Sequence, residues 1–294
     1  MEKDMSRAFK VVDAFSAKPL LGNPVAVVLD GSGLTDAEMQ AIASWTNLSE
    51  TTFVLPPTNP NASYLLRIFN PSAEMPFAGH PTLGSAHAVL EAGIATPKDG
   101  KLIQECGVGL VDVAVNGDGP DRILTLSLPP ATLTSLTGEE IDEVEAILRH
   151  PIMRDATPAI INVGAVWIIA QLASVDAVLG LEPDLIRSAQ FEKRKGATGI
   201  TVFAGRSDST PDIEVRTFAP SCGVSEDPVC GSGNGSVAVF RASRGLLPAS
   251  GVNYKAEQGR RVGRDGKISV TVDAQGQVQV GGACVTTVDG FIAA

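Results

Sequence analysis

The stretch RIFNPSAEMPFAGHPTLGSAHAVL, residues 67–90, returns later in the chain as RTFAPSCGVSEDPVCGSGNGSVAVF, residues 216–240. Each copy reads Arg-x-Phe-x-Pro, then an irregular segment with acidic residues, then a Gly with a polar neighbour, then an apolar run of helical character. The copies begin 149 residues apart in a chain of 294. That spacing is far longer than the roughly 20–50 residues of a solenoid repeat. It predicts two similarly folded halves, each supplying a strand end and a helix start to a shared cleft.

Working outward, the strand signals dominate. Phe9–Phe15, Pro24–Leu29, Thr51–Leu55 and Tyr64–Phe69 are short β-branched or aromatic runs bounded by Gly, Pro, Asn or Asp. Lys101–Val115, Arg122–Leu128, Ala159–Ala170, Gly199–Ala204, Ile213–Phe218, Lys267–Val272 and Gln277–Val280 read the same way. Thr35-Asp-Ala-Glu38 and Thr137-Gly-Glu-Glu140 are capping boxes, predicting helices to about Trp45 and about Arg149. Further helices are expected from near His80–Thr82 to about Ala92, and from Gly231 to about Arg244. Mixed strands with one long helix per half predict an α+β fold of two pseudo-symmetric domains rather than a regular βαβ array. The polar, turn-rich NGDGPD at 116–121 marks the boundary. The expected halves are 1–118 and 119–280, with 281–294 as a candidate completion of the first.

Composition bounds the function. The chain is 44% hydrophobic and 19% charged, with a formal net charge of −10. Nucleic acids and anionic membrane surfaces reward clusters of Lys and Arg, so neither is an expected partner. The N-terminus MEKDMSRAFK lacks the apolar core of a signal peptide, and no apolar run approaches the roughly 20 residues that span a bilayer. Cys106, Cys222, Cys230 and Cys284 are scattered without a CxxC pair, and the chain has only three histidines. Neither a structural metal site nor a disulfide framework is expected, and the reading is a cytoplasmic protein with reduced thiols.

Chemistry concentrates at the repeated helix starts. A helix N-terminus exposes unpaired backbone N–H groups and a partial positive charge, and glycine lets an anion approach them. Gly79-His80-Pro81-Thr82 and Gly231-Ser232-Gly233-Asn234 both have this character, so two such ends would cradle a small carboxylate substrate. Either is also an ordinary helix start, and only their occurrence in register singles them out. His80 is a ligand contact or a polar residue at a helix entrance. Asp227 is a turn-forming Asp-Pro or a partner for a polar substrate group. His87, inside the apolar helix, reads as packing, and His150 as a cap contact at a helix end. Cys230 invites a thiol-base reading, but its counterpart in the first copy is Ala78, so the matched pair of a two-base racemase is absent and a packing role is favoured. Glu50, in NLSETTF, follows a helix end and opens an apolar strand, where burial can suit a carboxylate to acid–base work.

NLSETTFV from Asn47, FAGHPTLG from Phe77 and EDPVCGSGNG from Glu226, with GNPVAVVL from Gly22 and QGRRVGR from Gln258, resemble the phenazine-biosynthesis isomerase (PhzF-like) family of the diaminopimelate-epimerase fold group. The resemblance implies two domains, each a mixed sheet wrapped around a central helix, with the active site between them, a homodimer, and no cofactor or metal. It implies that Glu50 shuttles a proton between carbons of a cyclic amino acid. His80 and Asp227 take polar roles in catalysis, and Gly79, Gly231, Ser232 and Gly233 bind substrate. The Cys230-Gly-Ser-Gly string is similar to the thiol motif of the epimerase branch. The leading expectation is therefore a cofactor-independent isomerase. The alternatives are a racemase or epimerase using Cys230 as one base, and a catalytically silent ligand-binding or interaction protein.

Overall fold

The computed structural model describes residues 6–207 and 210–294, so the first five residues of the polar N-terminus lie outside the described part. The chain divides into two compact units, Met1–Leu126 together with Gly281–Ala294, and Ser127–Val280.

The first unit contains β1 (Ser6–Ala14), β2 (Asn23–Val28), α1 (Asp36–Thr46), β3 (Thr51–Leu55), β4 (Tyr64–Phe69), β5 (Glu74–Met75), α2 (Gly79–Glu91), β6 (Lys101–Cys106), β7 (Gly109–Asn116) and β8 (Ile123–Ser127). The second contains β9 (Thr132–Ser135), α3 (Gly138–Leu148), β10 (Ala159–Asn162), β11 (Val166–Gln171), α4 (Val175–Gly180), α5 (Leu185–Lys195), β12 (Gly199–Ser207), β13 (Thr210–Ala219), β14 (Val224–Asp227), α6 (Gly231–Ser243), β15 (Val252–Gln258) and β16 (Gly266–Val272). A last strand, β17 (Val278–Ala293), starts in the second unit, and its segment Cys284–Ala293 pairs antiparallel with β1.

The pairing pattern repeats between the units. In the first, β1–β2 is antiparallel, β2–β3 parallel, β3–β4 antiparallel, β4–β6 parallel and β6–β7 antiparallel, with β5 flanking β4. In the second, β10–β11 is antiparallel, β11–β12 parallel, β12–β13 antiparallel, β13–β15 parallel and β15–β16 antiparallel, with β14 flanking β13. Phe53 faces Arg67 in one unit and Val202 faces Arg216 in the other, which sets the two registers side by side residue for residue. In the first unit β8 pairs with both β7 and β17, and β17 with β1, so the strands close on themselves.

Within each unit the helix after the Arg-x-Phe-x-Pro strand is the buried one. Every residue of α2 from His80 to Val89 is buried, as are eight of the thirteen in α6. Small residues permit this: α2 carries Gly84, Ser85, Ala86 and Ala88, and α6 carries Gly233, Gly235, Ser236 and Ala238, so strand side chains close onto the helix. A fully buried Leu, Val or Phe in such a core stabilises by roughly 1.5–3 kcal/mol. α2 ends where Gly93 takes φ +66° and the Ile94 N–H closes on the Val89 carbonyl at 3.0 Å, a Schellman-type stop.

Both predicted capping boxes form: Thr35 accepts from the Glu38 N–H and Thr137 from the Glu140 N–H, with each glutamate returning to the cap backbone. Four expectations are corrected. Ala159–Ala170 and Lys101–Val115 are each two antiparallel strands rather than one, turning at Gly164 and just before Gly109. The strand expected at Gln277–Val280 continues to Ala293, because β1 gives it a partner along that length. Two helices were not expected, α4 and α5 between Gln171 and Gly199; α5 carries an Asp184 cap accepting from the Arg187 N–H and a left-handed Gly196 at its end.

Candidate active site

Glu50 stands immediately before β3, and its carbonyl accepts the Ala26 N–H across the parallel β2–β3 pair. His80 is the second residue of α2. Strand pairing and helix packing bring together two residues thirty positions apart: Glu50 Oε2 lies 3.2 Å from His80 Nε2, with the side chains 15% and 9% exposed. The approach is off-line for a hydrogen bond, so each atom is buried with no hydrogen-bond partner in the protein. Such a pair is unusual, because buried polar atoms are paired in the great majority of cases. The other ring nitrogen, Nδ1, lies 3.4 Å from the side-chain nitrogen of Asn23, the first residue of β2. The two ring nitrogens of His80 thus face the Asn23 amide on one side and the Glu50 carboxyl on the other. Ala78 gives α2 no side-chain cap and Pro81 has no N–H, so Gly79 and His80 carry the available donors of the first turn.

The second unit holds Asp227, Cys230, Gly231, Ser232 and Gly233 at the end of β14 and the start of α6. Asp227 Oδ1 accepts the Val229 N–H at 3.0 Å, the turn geometry expected of Asp-Pro, and its carbonyl accepts from Gln258 Nε2 at 2.8 Å. Cys230 caps α6: its Sγ accepts the Gly233 N–H at 3.3 Å, while Gln258 Oε1 takes the Cys230 N–H and an Asn234 Nδ2 proton. Gly233 is thereby committed to the helix cap, and the free first-turn donors are those of Gly231 and Ser232. Burial and the neighbouring Asp227 carboxylate push the Cys230 thiol well above its ordinary pKa. A thiol so placed keeps its proton at neutral pH and is poorly suited to act as a resting base. Burial likewise pushes Cys284 up to about 12.

Cys222 is the exposed thiol and Cys106, Cys230 and Cys284 are buried. Native protein treated with iodoacetamide near pH 8 is therefore expected to carry its label on Cys222, with the other three reacting only after unfolding. Mass mapping of the labelled peptides checks this, and rapid native labelling of Cys230 would contradict the buried, protonated thiol.

His87, two turns beyond His80, is buried with Nε2 4.0 Å from Glu91, and burial lowers its pKa, so a neutral packing role fits. The His150 ring contacts the Pro151 carbonyl at 2.7 Å, while its backbone N–H closes the end of α3 on the Glu145 carbonyl at 3.3 Å, a contact at the helix end as expected. Asn23, Gln258 and Trp167, whose Nε1 donates to Ser232 Oγ at 3.0 Å, were not singled out from sequence. Asn23 and Gln258 lie inside GNPVAVVL and QGRRVGR, whose residue types signal a role only when their helix partners are known. Among the described residues no group of three or more His, Cys, Asp or Glu side chains is arranged to hold a metal ion, and no helix is long and apolar enough to cross a membrane.

Closed strands around a buried helix, with a carboxyl–imidazole pair at that helix's start, define a protein of the diaminopimelate-epimerase-like fold. Comparison with known proteins narrows the class: residues 12–290 match the PhzC-PhzF family, described as "Phenazine biosynthesis-like protein", and the chain belongs to that family. It is 34% identical over 284 residues to the trans-2,3-dihydro-3-hydroxyanthranilate isomerase of Pseudomonas fluorescens, covering 95% of this chain and 96% of that one. It is 41% identical over 291 residues to "Antisense-enhancing sequence 1" of Schizosaccharomyces pombe, covering 96% and 97%, a relative whose name states no reaction. The crystal structure of a PhzF-family phenazine biosynthesis protein from Bacillus anthracis superposes with a TM-score of 0.86 at 23% identity, covering 98% of this chain and 99% of that one.

Proposed function

We propose that the protein moves a proton between two carbons of a small cyclic carboxylate, with Glu50 as the single acid–base group. The observation that carries this reading is the Glu50–His80 pair, whose facing atoms, Glu50 Oε2 and His80 Nε2, lie 3.2 Å apart and are buried without a hydrogen-bond partner. A carboxyl with an unspent oxygen is available to take a carbon-bound proton, and the imidazole 3.2 Å away confines it. The proton leaves one sp³ carbon, the electron pair delocalises into the adjoining unsaturated system, and the same carboxyl returns the proton to another carbon. No net proton, electron or co-reactant is consumed. The helix-start donors at Gly79 and those at Gly231–Ser232, with Gly233 keeping the α6 turn closed, are each suited to an anionic group such as the substrate carboxylate, and Asp227 to a polar one. Donors fixed by a helix need no reorganisation as charge develops.

The racemase reading, with Cys230 as one base, is disfavoured by the raised pKa of that thiol and by Ala78 at the matching position of α2. The substrate class comes from the relative named for trans-2,3-dihydro-3-hydroxyanthranilate, and that compound is the first to test. In deuterated water the protein is expected to convert it with deuterium appearing at a ring carbon, read by NMR. If a panel of cyclic diene carboxylates shows neither conversion nor exchange while the protein still binds them, the isomerase assignment falls and the silent-binder alternative replaces it.

A further inference from the structure

The matched strand registers allow the two helix starts to be compared position by position. Phe53 opposite Arg67 corresponds to Val202 opposite Arg216, so three residues back along each strand Glu50 corresponds to Gly199. Ala26 faces Thr51 and Ile168 faces Ile200, so Val25 corresponds to Trp167. Both buried helices begin with Gly, so His80 corresponds to Ser232.

The position that holds the carboxylate in one unit therefore cannot hold any side chain in the other. A Cβ on Gly199 would lie 2.1 Å from the Phe218 carbonyl oxygen and 2.8 Å from the Trp167 ring. The indole of Trp167, 3% exposed, lies directly across the strand pair from Gly199. Its polar end then does what Glu50 does in the first unit and reaches the second residue of the buried helix: Trp167 Nε1 to Ser232 Oγ at 3.0 Å, against Glu50 Oε2 to His80 Nε2 at 3.2 Å. The chemistry is inverted. Glu50 offers an acceptor, whereas indole N–H can only donate.

We infer that Trp167 is a positioning residue that prepares the α6 helix start for an anion, by donating to one lone pair of Ser232 Oγ so that the Ser232 O–H is turned toward a carboxylate. The remaining neighbour of that hydroxyl is Cys230 Sγ at 3.7 Å, which already accepts the Gly233 N–H and is a weaker acceptor than a carboxylate oxygen. An acid in the place of Trp167 would pair with Ser232 and repel the substrate's charge. The indole does neither, so the subsite prefers a carboxylate over its neutral amide. This rests on the assignment of Ser232 to the substrate carboxylate.

The test measures binding of benzoate and benzamide to the intact protein by titration calorimetry or ligand-observed NMR. Wild type is expected to favour benzoate. Trp167→Phe should weaken benzoate about 5–10-fold, the span of one neutral hydrogen bond, and benzamide less than about 2-fold. Ser232→Ala should do the same, and Trp167→Phe/Ser232→Ala should lose little more than Ser232→Ala alone, because Trp167 acts through that hydroxyl. The isosteric replacement of tryptophan by 3-benzothienylalanine, in a Trp45→Phe background so that Trp167 is the only site replaced, removes the N–H while keeping the ring's volume and guards against misfolding of the Phe variant. Equal loss of both probes, additive losses, unchanged benzoate binding, or no preference for benzoate in wild type would each overturn the inference. Repeating the titrations in Glu50→Gln separates the two readings. If benzoate selectivity persists while wild type exchanges no carbon-bound proton, the shuttle falls and the Trp167 subsite stands; if exchange occurs but the losses are additive, only the subsite falls.

Discussion

Glu50→Gln is expected to fold normally and to lose carbon-bound proton exchange, with kcat falling about 10²–10⁴-fold, the range a positioned acid–base group contributes. Glutamine keeps the shape and a carbonyl oxygen facing His80, and the backbone carbonyl of residue 50 still accepts the Ala26 N–H, so β2 and β3 retain their register. What is lost is the ability to take up and return a proton. In the proposed shuttle Glu50 does both, so no second residue supplies half the reaction and the effect should sit near the upper end. Deuterium uptake by substrate, followed alongside thermal unfolding, reads the two parts separately. A variant that unfolds normally and still exchanges would remove Glu50 from the chemistry. His80→Asn should cost less than Glu50→Gln, since it removes the group that confines the carboxyl rather than the carboxyl.

Arg216→Ala should destabilise the second unit by about 3–5 kcal/mol, whereas Arg67→Ala should cost about 0–1 kcal/mol, although both arginines begin the same repeated motif. Each forks onto the glutamate of the following short strand: Arg67 donates from Nε and Nη2 to Glu74 at 2.7 and 2.6 Å, and Arg216 donates from the same atoms to Glu226 at 3.0 and 2.7 Å. The difference is solvent. The Arg67–Glu74 side chains are 23% and 43% exposed, the Arg216–Glu226 side chains 6% and 9%. Arg216 Nη1 also donates to the carbonyls of Val178 at 3.1 Å and Leu181 at 2.8 Å, satisfying the end of α4. Truncation leaves Glu226 as an uncompensated buried charge and strands those carbonyls, while Glu74 would simply be hydrated. Urea unfolding with unchanged m-values measures both, and equal costs would contradict the burial argument. Since Glu226 adjoins Asp227, loss of Arg216 is also expected to disturb the helix start beyond it.

The parts of the fold legible in sequence are those whose cause is local. A capping box needs four residues, and Thr35–Glu38 and Thr137–Glu140 announce themselves for that reason. The start of α2 at Gly79-His80-Pro81 and of α6 at Gly231 is local too. α5 was equally marked, by Asp184 before Leu185 and by Gly196 after Lys195, but its polar face and low hydrophobicity hid it among the loops. The length of β17 had no local cause, since a strand extends as far as it has a partner, and that partner is β1 at the other end of the chain.

The sequence by itself determined the duplicated architecture, the family, and the residue types from which Glu50, His80 and Asp227 could be chosen. Only the tertiary structure decided which of them meet and in what surroundings. Glu50 reaches His80 because β3 lies parallel to β2 and α2 is buried beside them. Trp167 reaches Ser232 because β11 lies parallel to β12, where Gly199 leaves room for the ring. Two copies of Arg-x-Phe-x-Pro diverged into an exposed and a buried ion pair because Arg216 Nη1 is enclosed by carbonyls at the end of α4, whereas Arg67 Nη1 reaches the exposed Asp36 at the start of α1. Position along a chain specifies what a side chain can do; burial and the partner across the strand specify what it does.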